Sequence, residues 1–240
     1  MFENTKVIRD FIAADIKDAA MRKEYGYGNK NHPMVESRAK VYYRMQELAT
    51  NLVKSTGMDL EVIGKENLPT SEPCLYVATH KSVFDIVVLL TVIGQPTIFI
   101  GKKEVQKMPF VNKWFDALGC IYIDREDKRN SLKSIIQGIE ELKGGQSIVL
   151  FPEGTRNMSN EINHFKEGGF KLATKSNVPI VPIALSNTYK VFEEKKRIQR
   201  TKVVVNIGEA IRLDELSKEE QKSIAAYVET KVRELMQEIV

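Results

Sequence analysis

Cysteine, histidine and tryptophan are scarce in this sequence, at two, three and one among 240 residues. Cys74 and Cys120 each sit alone in an apolar, strand-like run. Thiols so placed behave as small buried hydrophobes, and the pair suggests a reducing compartment rather than a disulfide framework. No Cys/His grouping has zinc-site spacing. Long hydrophobic runs are missing too. The longest in the middle of the chain, "IVVLLTVIG", is far too short to span a bilayer. Charges recur every few residues in "MFENTKVIRDFIAADIKD", which argues against a signal peptide. Nor is there a large excess of either charge. A net charge of +4 suits anionic small molecules or an anionic membrane surface. No basic stripe interleaved with aromatics and no nucleic-acid motif accompanies it. The chain reads as soluble or peripheral.

What is present is an average globular composition, 42% apolar and 28% charged. Residues 1–58 read as an N-terminal amphipathic helical segment and residues 59–240 as a larger α/β domain. Val7, Ile8, Phe11, Ile12, Ile16, Ala19 and Ala20 fall at helical spacing. "EYGYGNKNHP" interrupts that pattern. A second helical stripe follows through Val41, Met45, Leu48 and Leu52. Residues 1–55 hold 10 basic and 7 acidic side chains, a balance of +3. Two roles fit this segment: helices packed on the core, or a platform lying on a membrane surface. From residue 60 onward β-rich runs alternate with helical patterns: "LEVIG", "CLYVATH", "TIFIG", "CIYID", "SIVLF", "VPIVPIAL" and "KVVVNIG". The clearest helical stripe joins Leu132, Ile135, Ile136, Ile139 and Leu142. The alternation predicts an α/β fold whose mixed, largely parallel central sheet is flanked by helices. Ser217 and Glu220 form a capping box before a final amphipathic helix.

Three groups of residues could carry chemistry. In "VATHKSVFDIVVLL", His80 ends a strand and Asp85 enters a helix, so the chain reverses between them. A carboxylate behind the imidazole would fix its tautomer and leave the other nitrogen as a proton acceptor. Open α/β sheets bind ligands beyond the carboxyl ends of their strands, where this pair falls. Second, "FPEGTRN" places Glu153, Gly154, Thr155 and Arg156 directly after a strand. Glycine permits a tight turn, and a guanidinium grips phosphate in two places. The same residues also make an ordinary β-turn. Third, Lys102 with Lys103, and Asp124 with Arg125, close two further strands. Strand-end charges are commonly just solvated, but Lys103, Arg125 and Arg156 together would make a cationic pocket for a phosphate monoester. His32 and His164 read as ordinary surface histidines, and Ser82 is a weak nucleophile candidate.

The ordered series "THKSVFD", "KKEVQKMPFVNKWFDALGCIYIDRED", "LFPEGTRN" and "VPIVPIALSN" resembles the glycerolipid acyltransferases. It looks most like the bacterial 1-acyl-glycerol-3-phosphate acyltransferases. The resemblance implies His80 as general base and Asp85 as its orienting partner. It implies that Arg125, Glu153, Gly154, Thr155 and Arg156 bind the acceptor's glycerol phosphate, helped by Lys102 or Lys103. Lys166 and Gly168 are weaker site candidates, and Pro182 is structural. The implied reaction moves an acyl group from a thioester, acyl-carrier protein or acyl-coenzyme A, to a lysophospholipid without metal or organic cofactor. A cytoplasmic protein, peripheral on the inner face of the cell membrane, is the corresponding expectation. Acylation of glycerol-3-phosphate or another lysolipid is the alternative, with a non-catalytic lipid-binding protein behind it. Many bacterial relatives begin with a hydrophobic stretch, whereas residues 1–55 here are charged and amphipathic.

Overall fold

The computed structural model describes residue 9 and residues 12–240. Val7, Ile8 and Phe11 of the first helical pattern lie outside the described residues. Each of the seven β-rich runs forms a strand: β1 (Asp59–Ile63), β2 (Leu75–Ala78), β3 (Thr97–Lys102), β4 (Ile121–Ile123), β5 (Ser147–Leu150), β6 (Ile180–Ser186) and β7 (Lys202–Ile207). They make one sheet in the order β1-β7-β6-β2-β5-β3-β4. The five strands from β6 to β4 run parallel, and among the strand pairs of the described residues β6–β7 alone is antiparallel. β1 and β7 are parallel to each other and point the opposite way to that block. Strands β2, β5 and β6 are buried along their whole length, which explains their continuous apolar runs.

The N-terminal segment contributes α1 (Ala19–Tyr25) and α2 (Met34–Thr56). The second helix lays Val41, Tyr42, Ala49 and Val53 into the core. It also meets the end of α3 (Phe84–Val92), which follows β2. Tyr42 Oη donates to the Ile93 carbonyl at 2.8 Å, and Gln46 Nε2 donates to the Leu90 and Ile93 carbonyls at 3.0 and 2.7 Å. Carbonyls that a helix end leaves without intrahelical donors are thereby satisfied by a neighbouring helix.

α4 (Val111–Leu118) connects β3 to β4, and α5 (Lys128–Lys143) connects β4 to β5. The stripe expected on α5 is only partly buried: Leu142 is in the core and Ile135 and Ile139 pack against it. Ser134, Gly138 and Leu142 are buried, whereas Leu132 and Ile136 are exposed. The cause is close helix packing against α6 (Lys171–Ser176). A Cβ on Gly138 would stand 2.4 Å from a Leu172 methyl, so the smallest residues face the neighbour. At the chain's end, Ser217 and Glu220 cap α7 (Lys218–Lys222) reciprocally, and α8 (Ile224–Gln237) buries Ile224, Val228 and Val232.

Candidate active site

All five parallel strands end on one edge of the sheet, and the predicted chemistry gathers there. His80 lies two residues beyond β2, and Asp85 lies in the first turn of α3. The reversal between them brings His80 Nδ1 to 2.8 Å from Asp85 Oδ2. A carboxylate accepts from Nδ1–H, which leaves Nε2 with its lone pair. Asp85 is fully buried and highly satisfied. Its Oδ2 also accepts from the amides of Lys81 and Ser82 at 2.6 and 2.8 Å, and its Oδ1 accepts from Thr188 Oγ1 at 2.5 Å. Four donors make the acid a fixed acceptor rather than a mobile surface group. The imidazole stacks on Phe151 with ring centres 4.1 Å apart.

The "PEGT" turn forms directly after β5, closed by the Gly154 amide on the Phe151 carbonyl at 3.2 Å. Gly154 has φ +75°, and a Cβ there would meet the end of the Lys166 side chain at 2.9 Å. Lys166 therefore lies over the turn. Glu153 is spent inside the protein. Its Oε1 accepts from the His80 amide at 2.8 Å, its Oε2 accepts from the Asn163 amide at 2.9 Å, and Lys81 Nζ stands 3.9 Å away. It locks the turn to the histidine instead of facing outward. Lys81 is itself fully buried and donates to the Glu161 carbonyl. Burial lowers its pKa, and Glu153 and Asp85 oppose that effect. Asn157 completes the join, its amide donating to the His80 carbonyl at 2.8 Å.

Thr155 and Arg156 are exposed beside the turn. Arg156 Nη1 stands 3.6 Å from Glu193 Oε1. Glu193, nearly buried, also accepts from Ser82 Oγ at 2.7 Å and from the Val83 amide at 2.8 Å. Ser82 is thus excluded as a nucleophile: its hydroxyl is buried, donates to Glu193 and accepts from the Phe84 amide at 2.9 Å.

The other predicted cations stand further along the same edge. β3 is two strands from β2 and β4 three, which strand spacing puts at roughly 10 and 14 Å across the sheet. Lys102 is exposed, and Lys103 pairs with Asp124 at 2.8 Å. Arg125 is exposed, and among the described residues no carboxylate lies within ion-pair distance of it. The predicted cations therefore rise from strand ends spread along one edge, with Arg156 nearest the histidine in strand order.

Elsewhere, Gly168 lies exposed in the turn before α6, and Pro182 sits within buried β6. His164 is exposed but has a partner, Glu229 at 2.9 Å, and His32 stacks on Tyr25 at 4.3 Å. Both cysteines are buried, and burial pushes their thiols up to about 11 for Cys74 and about 12 for Cys120. Such thiols are inert at neutral pH. Thr188, Glu193 and Lys81 were not singled out in the sequence. Nothing in a strand-end "SNTYKVFEE" marks a threonine and a glutamate that turn back onto a loop over a hundred residues earlier.

An α/β sheet that presents a carboxylate-oriented histidine at its strand ends, with an exposed arginine on the turn after the neighbouring strand, places this chain in the broad class of α/β enzymes. Comparison with known proteins narrows that class. The family model described as Acyltransferase matches residues 59–186, and the chain belongs to that family. A Mycoplasma pneumoniae protein described as "Probable 1-acyl-sn-glycerol-3-phosphate acyltransferase" is 32% identical over 212 residues, 86% of this chain and 77% of the relative. The Saccharomyces cerevisiae 1-acyl-sn-glycerol-3-phosphate acyltransferase is 30% identical over 215 residues, 88% of this chain and 68% of the relative. The fold is also that of PlsC, the 1-acyl-sn-glycerophosphate acyltransferase of Thermotoga maritima. That structure superposes with a TM-score of 0.75 at 24% identity, over 99% of this chain and 97% of that one.

Proposed function

We propose that this acyltransferase moves a fatty acyl group from a thioester to the free hydroxyl of 1-acyl-glycerol-3-phosphate, giving phosphatidate. The observation that carries the mechanism is the His80–Asp85 pair at 2.8 Å, held from behind by Thr188 and two amides. His80 Nε2 takes the hydroxyl proton as that oxygen attacks the thioester carbonyl. The C–S bond breaks, the proton passes to the leaving thiolate, and Asp85 stabilises the imidazolium in between. Atoms and charge balance with donor and acceptor alone, so no cofactor enters the scheme. Arg156 grips the acceptor phosphate close to the base, with Thr155 beside it and Lys102, Lys103 and Arg125 spread along the same edge. Glu153 and Gly154 shape the turn.

The oxyanion donors follow by elimination. The amides of residues 81–84 are taken by Asp85, Glu193 and Ser82. Among the described residues, the amides of Thr155 and Arg156 donate to no protein group, so they remain for the oxyanion. Membrane association belongs to the same proposal. Ile16, Met34 and Val35 stand exposed in the basic N-terminal segment, and no described helix is long and apolar enough to cross a membrane. Peripheral binding at the inner face of the cell membrane fits these features. Acyl-carrier protein and acyl-coenzyme A both supply the required thioester.

The test is acyl transfer to lysophosphatidate on anionic vesicles, comparing wild type with His80→Ala. Turnover falls at least about 10³-fold with acceptor binding retained, the scale expected for losing a general base and the geometry around it. Equal turnover in the two proteins would sink the mechanism. Transfer by the wild type only to glycerol-3-phosphate or another lysolipid would replace the acceptor.

A further inference from the structure

The site holds one buried acid that the proposed chemistry does not use. Glu193 follows a short 3-10 turn, Thr188–Val191, at the end of β6. That turn is braced by the Glu194 amide on the Tyr189 carbonyl at 3.1 Å and the Gln199 amide on the Val191 carbonyl at 2.9 Å. Its carboxylate accepts from Ser82 Oγ and the Val83 amide, in the loop between base and orienting acid. The Oε1 that takes the Val83 amide also stands 3.6 Å from Arg156 Nη1. Arg156 is about half exposed, 48%, while Glu193 is 7% exposed at the side chain. A guanidinium has five donors in a planar fork, so one edge can rest on Glu193 while another stays free for a phosphate.

We infer that Glu193 is a positioning residue that fixes the phosphate-gripping arginine relative to the base, so that acceptor binding delivers the hydroxyl to His80 at a set distance. The inference rests on the acceptor reading above. The physical argument has two parts of opposite sign. Glu193 is a like charge beside a bound phosphate, so it weakens phosphate binding. It also ties Arg156 to the 82–83 loop, and a misplacement of about 1 Å at such a contact costs about 100-fold in rate. The carboxylate thus lowers ground-state affinity while raising turnover. Neither a substrate-binding residue nor a purely structural one produces that combination.

The experiment titrates sn-glycerol 3-phosphate into wild type, Glu193→Gln, Arg156→Ala and the double variant, and measures kcat and KM for lysophosphatidate in each. Glutamine keeps the shape and an acceptor oxygen, and thermal unfolding checks that each variant folds. Glu193→Gln is expected to bind glycerol phosphate about fivefold tighter, the scale of one partly screened charge. It is expected to turn over about 30-fold more slowly. In the Arg156→Ala background the turnover change disappears and the binding change shrinks to the direct repulsion between Glu193 and the phosphate, as a double-mutant cycle requires of coupled groups. Unchanged or weaker phosphate binding in Glu193→Gln, or the same shifts without Arg156, would overturn the inference. A wild type that binds the phosphate but transfers no acyl group refutes the reaction instead, and the binding comparison still decides the coupling.

Discussion

Two buried networks of charged residues lie in different parts of this molecule and are built differently. At the strand-end edge that carries His80, the acids Asp85, Glu153 and Glu193 spend most of their oxygens on backbone amides of residues 80–83 and on neighbouring hydroxyls. In the other, helices of the N-terminal segment meet the α/β domain through side chain to side chain ion pairs. Arg38 on α2 holds Glu141 on α5 at 2.6 and 2.9 Å, and Lys113 on α4 reaches Asp15 at 3.2 Å. An acid bonded to successive amides fixes the path of a loop. An acid bonded to a distant arginine fixes where one helix sits on another. The first network therefore fixes the loop that carries His80, and the second fixes where the N-terminal helices sit on the rest of the fold.

The largest expected effect outside the active site comes from breaking the second network. Arg38 is almost fully buried, and its guanidinium also lies 4.7 Å from the centre of the Tyr27 ring. Arg38→Ala leaves the partly buried Glu141 with Tyr27 Oη, at 3.3 Å, as its remaining partner. Removing one member of a buried pair costs about 3 kcal/mol. Urea unfolding measures the loss, and kcat of the folded fraction stays at the wild-type value. Replacing both partners by methionine recovers most of the stability, since apolar packing substitutes for a desolvated ion pair. A variant that keeps its stability but loses turnover would erase the distinction between the networks.

The complementary break is Thr188→Val, which keeps shape and removes the hydroxyl that donates to Asp85 Oδ1. The carboxylate keeps three donors on its other oxygen and loses the contact that sets its rotation. We expect kcat to fall about tenfold, equivalent to about 1.4 kcal/mol, with KM for the acceptor unchanged. Thr188→Ser restores the hydroxyl and most of the rate. Loss of thermal stability with kcat intact would make Thr188 a structural contact only.

The same contrast explains what could be read from the sequence. The seven strands were legible because a buried strand is a short, continuous β-rich run, and each run fell where a strand forms. The His80–Asp85 contact was legible because its two members lie on either side of one strand-to-helix turn. The stripe on α5 held at Ile135, Ile139 and Leu142 and failed at Leu132 and Ile136, because periodicity counts large apolar residues, whereas the tightest contact there is made by Gly138 against Leu172. Thr188 and Glu193 were invisible for a different reason. Their partners lie 103 and 111 residues away, and only the crossover from β5 to β6, which places β6 beside β2, brings them together. Glu153 reads as a substrate contact from the family resemblance, or as a residue that orients the turn. In the structure it is buried beneath the histidine loop.

Glu229 on α8 lies between the two kinds of network and gives the smallest effect, one that pH can isolate. Its Oε2 accepts from the Phe165 amide at 2.8 Å, and its Oε1 accepts from Arg233 Nη2 at 2.7 Å. It thereby fixes the segment whose Asn163 amide holds Glu153. Burial raises its pKa, but the Phe165 amide, Arg233 and the His164 ring outweigh that and leave it below the ordinary glutamate value. A carboxyl depressed on folding stabilises the native state above its unfolded pKa, about 4.3, and loses that contribution as pH falls through the folded value. Glu229→Gln is therefore expected to lower stability by about 1 kcal/mol at pH 7. The gap to wild type closes progressively as the pH falls below about 4. Thermal unfolding across that range measures it, with turnover at pH 7 reduced less than about threefold because Asn163 and Glu153 keep their own bond. A stability gap that persisted unchanged into acid would mean that the carboxylate's shape, and not its charge, holds the loop in place.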